Sequence, residues 1–431
     1  MIKRAAEIAF LVLIFSLAFM QPKLDSLGPA MTPTDAIFVI TAALFVIAWI
    51  ARQAKLRFDP IYIVFALYAA ALSLSALLSE NQAGSLVKLA GEVYLIALAV
   101  LTLNIVRTPA MLKTAVLVWL AASGISALIG TLAVAFFYLG ISNFLTAFAF
   151  HYYGTLPPGN YVRIQGTFLY PSMLCDYLTV SMMMLLAARR LEWISKTVAI
   201  TLGILFSITI AFTVTPGIGG VLFAVGWWCY LVFSQRGRPV MARLAFGGGT
   251  MAFLASLAVS TFTIISTSAS PFSFYIGGIR IDAAHRSMTW SGAIETFAHH
   301  PIFGRGIGLA VANVYVHTPS DTIELLTDAH NMFLNIAAQA GIVGLVSLIF
   351  ICVAVVRRSR PFDLTDANTL RTAFGIAFVS AFLVQGLVGS FEDARHLWVL
   401  TGLVLSFSAL GGPRRKPPPE GGTQNAKTTS P

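Results

Sequence analysis

The chain has 431 residues, 57% of them hydrophobic and only 11% charged, with a mean hydropathy of +0.81. Soluble domains carry about 25% charged residues, so this composition excludes a water-soluble globular protein and points to an integral membrane protein. The net charge of +10 does not signal nucleic acid, because a membrane protein keeps its basic loops on the cytoplasmic side. The three cysteines, Cys175, Cys229 and Cys352, all fall inside apolar segments and make neither a disulfide framework nor a zinc site.

A spanning helix needs about 20 mostly apolar residues. The expected architecture is all-α and polytopic, with about twelve transmembrane helices near 5–21, 34–51, 60–79, 86–106, 111–139, 171–188, 197–214, 219–234, 244–266, 331–356, 370–390 and 396–411. The first follows Met1-Ile2-Lys3-Arg4, and with no small-x-small cleavage pattern near Gln21 it reads as a retained helix. Turn residues Thr215-Pro216-Gly217 divide the seventh from the eighth. Gly247-Gly248-Gly249 reads as a helix-packing face in the ninth.

Lysine and arginine set the orientation. With the N-terminus in the cytoplasm, 21 of the 28 basic residues fall in cytoplasmic segments and 7 outside, which is self-consistent for twelve spans with both termini cytoplasmic. Two outside loops are long, about 141–170 and 267–330, the second just before the tenth helix. Their aromatic and glycine content argues against disorder and for function. The spans and loops make one transmembrane domain over 1–412, and residues 413–431, with Pro417-Pro418-Pro419, read as a disordered basic cytoplasmic tail. No internal repeat stands out, which weakens an inverted-repeat transporter reading.

The outside face carries Arg163, Arg280, Arg286, Arg305 and Arg395 against the topology bias. A planar, permanently charged guanidinium suits phosphate or carboxylate, so these arginines suggest an anionic lipid head group such as a diphosphate, against the plainer reading of surface arginines paired with nearby carboxylates. The same face holds His285, His299, His300, His317, His330 and His396, with Asp282, Glu295, Asp321, Glu324, Asp328, Glu392 and Asp393. His330 sits where the largest loop enters the membrane. A neutral imidazole there can take a proton from a hydroxyl, with Asp328 or Glu324 to orient it; the plain alternative is a helix-capping histidine. Asn331 is itself a good cap. Gly341 and Gly344, about three turns on, read as a small face for close helix packing. The run Gly304-x-Gly306-x-Gly308 lacks a preceding strand and is not a nucleotide loop.

His330-Asn331 followed by Gly341 and Gly344 resembles the histidine motif of the O-antigen ligase and Wzy-type O-antigen polymerase superfamily. Three further stretches resemble that family in order: Arg163-Ile-Gln-Gly166-Thr167-Phe168 with Pro171-Ser172; Arg286 and Trp290 with His300-Pro301-Ile-Phe-Gly304-Arg-Gly306-Ile-Gly308; and Glu392-Asp393-Ala-Arg395 with Trp398 and Gly402. The resemblance implies a bacterial inner-membrane glycosyltransferase, inverting and metal-independent, with a periplasmic active site and no cofactor. It would move a glycan from undecaprenyl diphosphate to an acceptor hydroxyl. His330 would be the general base, with Arg286, Arg163, Arg305, Arg280, Asn331 and Arg395 as substrate-binding candidates. The acceptor would be a lipid A core sugar for a ligase, another lipid-linked repeat for a polymerase of O-antigen or exopolysaccharide, or a protein hydroxyl. The chain departs from the family at Thr215-Pro216, where many members carry Ser-Arg, and at Gln339, where many carry Glu. The rivals from other classes are a polysaccharide or lipid-linked sugar transporter, whose mark is mid-membrane charge, and a non-catalytic membrane scaffold.

Overall fold

The computed structural model describes residues 1–21, 32–153, 161–263, 273–276, 279–283, 285–317 and 323–410. The basic tail expected over 413–431 lies outside the described residues, as does Asp321. In chain order the helices are α1 (Ile2–Ser16), α2 (Pro33–Ile50), α3 (Ile61–Leu77), α4 (Gln82–Ile105), α5 (Pro109–Tyr138), the short α6 (Phe144–Phe148), α7 (Pro171–Arg190), α8 (Lys196–Thr213), α9 (Gly217–Gln235), α10 (Pro239–Thr261), α11 (His285–His299), α12 (Met332–Ser359), α13 (Thr369–Ala377) and α14 (Arg395–Leu410). A π-helical stretch, Phe378–Val384, and a 3-10 turn, Gln385–Leu387, continue α13.

Among the described residues, nine helices are long and apolar enough to cross a membrane. The shorter α1, α3 and α14 stand where the other three spans are expected. The chain is therefore an all-α polytopic membrane protein. Its strands are short and confined to loops: the hairpin β1 (Phe150–Tyr153) with β2 (Tyr161–Ile164), a three-stranded patch of β3 (Phe262–Thr263), β4 (Ser273–Ile276) and β5 (Ile279–Ala283), and the hairpin β6 (Val314–His317) with β7 (Ile323–Leu326).

Local chemistry explains the helix ends. Thr108 and Pro109 open α5, with the Thr108 hydroxyl accepting from Met111 N–H at 3.1 Å, the usual start signal. Val214, in the left-handed region at φ 46°, ends α8, and Pro216 restarts the chain as α9. That break is where the turn residues predicted it.

The bundle is layered around α7, most of which is buried, whereas α10 is largely exposed along its length. Trp119, Tyr177, Phe168, Phe374, Phe378, Phe382 and Trp398 fill the interior. Gly249 alone of its triplet meets another helix, near Leu222 and Phe223 of α9, whereas Gly247 and Gly248 face open space.

The feature that positions the site is a break in α12. Gly341 is non-helical, at φ 66° and ψ −167°. Each half-helix so created has open backbone groups, which cannot be left unpaired away from water. The loop after α11 threads the gap. Arg305 N–H donates to Ala338 C=O at 2.9 Å and Gly306 N–H to Gln339 C=O at 3.0 Å, while Ile342 N–H donates to Pro301 C=O at 2.8 Å and Val343 N–H to Ile302 C=O at 3.3 Å. Ser75 of α3 adds a 2.6 Å bond to Gln339 C=O.

Two glycines make the threading possible. A Cβ on Gly304 (φ 71°) would sit 2.2 Å from the Gln339 carbonyl carbon, and one on Gly341 would sit 2.2 Å from the Ile302 carbonyl oxygen. The expected small face for helix packing is therefore corrected: Gly341 is the break that receives the loop, and Gly344 looks back at Ala340 and Ile336 of its own helix.

Gly304→Ala and Gly341→Ala are each expected to destabilise the protein by roughly 2–4 kcal/mol, from backbone strain and displaced loop contacts. Gly247→Ala should be neutral. Thermal unfolding of the detergent-purified variants reads this directly, and an unchanged midpoint for both loop variants would refute the threaded break.

Candidate functional site

His330 lies at the N-terminal end of α12, just before the capping residue Asn331. It adopts φ 48°, a left-handed conformation that costs a non-glycine residue about 1–3 kcal/mol and persists only where neighbours over-determine it. They do so here. His330 N–H donates to Asp328 Oδ1 at 2.5 Å, and its ring Nδ1 stands 3.5 Å from the same oxygen, with the side chain 42% exposed. Asn331 then caps α12, its Oδ1 accepting from Phe333 N–H and Leu334 N–H at 3.1 Å each. Its amide also donates to Leu387 C=O at 3.2 Å, and Met332 N–H donates to Gly389 C=O at 3.1 Å. The turn bearing His330 is thus pinned to the segment between α13 and α14.

Asp328 is held from several sides. Besides His330 N–H, it accepts from the Ser390 hydroxyl and from Asn335 Nδ2 at 2.6 Å. The Asn335 amide also reaches Glu392 Oε1 at 3.0 Å, and its Oδ1 accepts from Ala329 N–H at 3.1 Å. Behind Glu392 come Asp393 and Lys88, which are ion-paired, with Glu92 3.3 Å from the Lys88 ammonium. Burial, reinforced by the Asp393 charge, pushes the Glu392 carboxyl up to about 8. Burial acts on Asp393 in the same direction, but the Lys88 ammonium overrides it and holds that carboxyl below the usual range.

The five arginines stand on separate elements. Arg286 is in the first turn of α11, which the Thr289 hydroxyl ties to the histidine turn by bonds to Arg286 C=O at 2.9 Å and Ala329 C=O at 3.3 Å. Trp290, Ala293, Val311, Ala329, Leu334 and Ala338 form the apolar contact that seats α11 on the N-terminal half of α12. Arg163, on β2, donates from Nε to Thr213 C=O at 2.8 Å, at the end of α8 beside Thr215. Arg305 pairs with Glu80 at 3.3 Å, and Arg395 makes a two-pronged pair with Asp35 at 2.8 and 2.9 Å across α14 and α2. Those two guanidiniums hold helices and loop together. Arg280 lies on β5 opposite Tyr275; its side chain and those of Asp282, His285, His317 and Glu324 lie outside the described residues.

The other histidines are placed elsewhere. His299 and His300 are exposed. His396 is buried and pairs with Asp176 of α7 at 2.7 Å. Gln339, where a carboxylate was the family expectation, instead clamps the glycine loop, accepting from Gly308 N–H at 3.2 Å and donating to Leu309 C=O at 3.1 Å. Among the described residues no group of three His, Cys, Asp or Glu side chains is placed to hold a metal ion.

Sequence reasoning missed Asn335, Ser390 and Lys88; it named Glu392 among the outside carboxylates but gave it no role. Asn335 carried a usable signal, since it stands four residues after Asn331 on the same helical face. Lys88 and Glu92 carried another, as an i,i+4 pair inside an otherwise apolar helix.

Because folding raises the Glu392 pKa from 4.5 to about 8, the folded state holds a proton there that the unfolded chain gives up. Stability is therefore expected to be full below about pH 4.5 as far as this group is concerned, and to fall as pH rises towards about 8. Glu392→Gln should flatten that part of the profile, as read by unfolding midpoints across the range; an identical slope in both proteins would show that Glu392 does not titrate this way.

Residues 199–349 match the family model described as O-antigen ligase. The match runs from α8 through the loop carrying Arg286 and the glycine run to Gly341 and Gly344. No curated protein gives a match to the chain.

Proposed function

We propose that this chain, a member of the O-antigen ligase superfamily through residues 199–349, transfers a glycan from undecaprenyl diphosphate to an acceptor hydroxyl on the periplasmic face of the bacterial inner membrane. Membership of that family gives a ligase- or polymerase-like membrane role in glycan assembly. The finer reading is a ligase that delivers the glycan to a lipid A core sugar, with both termini in the cytoplasm. The observation that carries it is the histidine turn itself: His330 beside Asp328, strained into a left-handed backbone at the head of a broken membrane helix, with the Arg286 turn tied alongside by Thr289.

The chemistry follows from these groups. With Nδ1–H directed at Asp328, the neutral imidazole presents a lone pair on Nε2. That nitrogen takes the acceptor hydroxyl proton while the oxygen attacks the anomeric carbon. The bond from that carbon to the diphosphate oxygen breaks on the opposite side, inverting the centre, and the electron pair leaves with the diphosphate. Diphosphate is a good leaving group, and guanidinium charge is sufficient to stabilise it. Arg286 is the arginine best situated for that task. Arg163 is the second, because it reaches the end of α8, where many family members carry an arginine and this chain has Thr215-Pro216.

A polymerase uses the same donor and differs in its acceptor. The deletion strain separates the two: loss of attachment with accumulated lipid-linked polymer indicates a ligase, and single-repeat glycan on the core indicates a polymerase.

In membranes carrying stably inserted protein, His330→Ala is expected to abolish transfer, and normal surface glycan in that strain would sink the catalytic reading. Arg286→Ala should lower turnover about ten- to a hundred-fold, the value of a charge-assisted bond of roughly 1.5–3 kcal/mol. Transfer should also persist in excess EDTA; a complete, metal-reversible loss would replace the arginine-only account.

A further inference from the structure

We propose that Asn335 is a positioning residue that sets the Asp328 carboxylate against His330 and joins that pair to the buried Glu392. This rests on the catalytic reading of His330 given above.

The geometry is specific. Asn335 is nearly inaccessible, at 1% exposure. Its Oδ1 is committed to Ala329 N–H, the residue between Asp328 and His330. That bond fixes which way the amide faces, so Nδ2 must point at Asp328 Oδ2, Ser390 Oγ and Glu392 Oε1, at 2.6, 3.2 and 3.0 Å. An amide has two protons to donate. Two carboxyl groups that would otherwise repel are therefore bridged by one neutral donor, at the base of the histidine turn. Ser390 donates to the other Asp328 oxygen, which also receives His330 N–H. Both carboxylate oxygens are thereby held, and the oxygen facing the imidazole has little freedom to turn away. An aspartate at 335 could not do this, because it lacks the donor.

Lys88 and Glu92 approach this unit from α4, and Asp393 and Arg395 from the segment that enters α14, while Arg286 is carried by the first turn of α11, which Thr289 ties to Ala329. The positive member nearest Glu392 is Lys88, and it is engaged by Asp393 and Glu92. Glu392 in its neutral form can share the Asn335 amide with Asp328 without like-charge repulsion. Once ionised it competes for that amide, and Asp328 is the group that loses its anchor.

The test reads the imidazole itself. The whole protein, purified in detergent, is treated with diethyl pyrocarbonate across roughly pH 5–8, where histidine titrates, and the modification rate of the His330 peptide is followed by mass spectrometry. Asn335→Leu is expected to move the midpoint of that profile down by about one unit, because a carboxylate that no longer stands by the ring stops favouring its charged form. Asp328→Asn should give the same shift, and the double variant no more than either single one, the signature of two residues acting as a unit. If the leucine variant does not fold, Asn335→Ser, which is shorter and lacks the amide, should still shift the profile downward.

A wild-type midpoint in the folded Asn335 variant, or a shift that adds in full to that of Asp328→Asn, overturns the proposal. Labelling does not depend on what reaction His330 performs. A shifted profile together with normal glycan in His330→Ala would therefore refute the catalytic reading alone. An unshifted profile with a dead His330→Ala would refute only the positioning role.

Discussion

The constraint on which the site depends is the need to pair every backbone group inside an apolar layer. A membrane helix can be interrupted only if something else supplies the missing donors and acceptors. In α12 that supply comes from the loop Pro301–Gly306, which gives two N–H groups to the N-terminal half-helix and accepts two from the C-terminal half. The exchange locks the loop to the helix without using side chains. It also frees the N-terminal half, Met332 to Ala340, from a straight continuation, so that its head can be pinned independently to the Leu387–Ser390 segment. The residues flanking the break and the residues around His330 are thus parts of one arrangement. The glycine loop sets the N-terminal half-helix, and the half-helix sets the histidine.

Most of the fold was legible because hydropathy acts along the chain. A run of apolar residues of sufficient length has few alternatives in a membrane, and helices appear at each of the twelve expected segments. Gly341 shows where that logic stops. A glycine on an apolar helix has the same local pattern whether it admits a neighbouring helix or breaks the ladder, and the difference lies in Ile302, 39 positions earlier in the chain. The arginines show the same limit. Their type was readable, but the partner of Arg395 is Asp35, 360 positions away, and that of Arg305 is Glu80, 225 away. No periodicity encodes such pairs. Asn335 was passed over, and Glu392 left without a role, for a related reason: an asparagine and a glutamate at interfaces are common, and their meaning here comes from the Asn335 amide that reaches both Asp328 and Glu392.

The electrostatic arrangement around His330 is layered. Nearest the ring is one carboxylate, Asp328, held by three donors. Behind it is Glu392, whose carboxyl burial pushes upward, towards its neutral form. Behind that, Asp393 and Lys88 form an ion pair that keeps the net charge of the inner layer low. Two ionised carboxylates adjacent to one imidazole would hold it in its charged form, in which it cannot accept a proton. In the proposed reading, a second carboxyl pushed towards its neutral form leaves the ring with Asp328 as its anionic neighbour, to orient it and to stabilise the charge it would take up.

That layering also bears on how a diphosphate could be accommodated. An anionic donor arriving beside Asp328 meets repulsion unless cations stand on its own side. The acidic groups lie on the α12–α14 side of the histidine turn, whereas Arg286 enters from the head of α11 and Arg163 from the hairpin packed on α8. Arg305 and Arg395, already paired with Glu80 and Asp35, do not need the donor to neutralise them. In the proposed reading the acidic groups serve the base, and the task of stabilising the leaving group falls to arginines carried by other elements, Arg286 on α11 and Arg163 on β2.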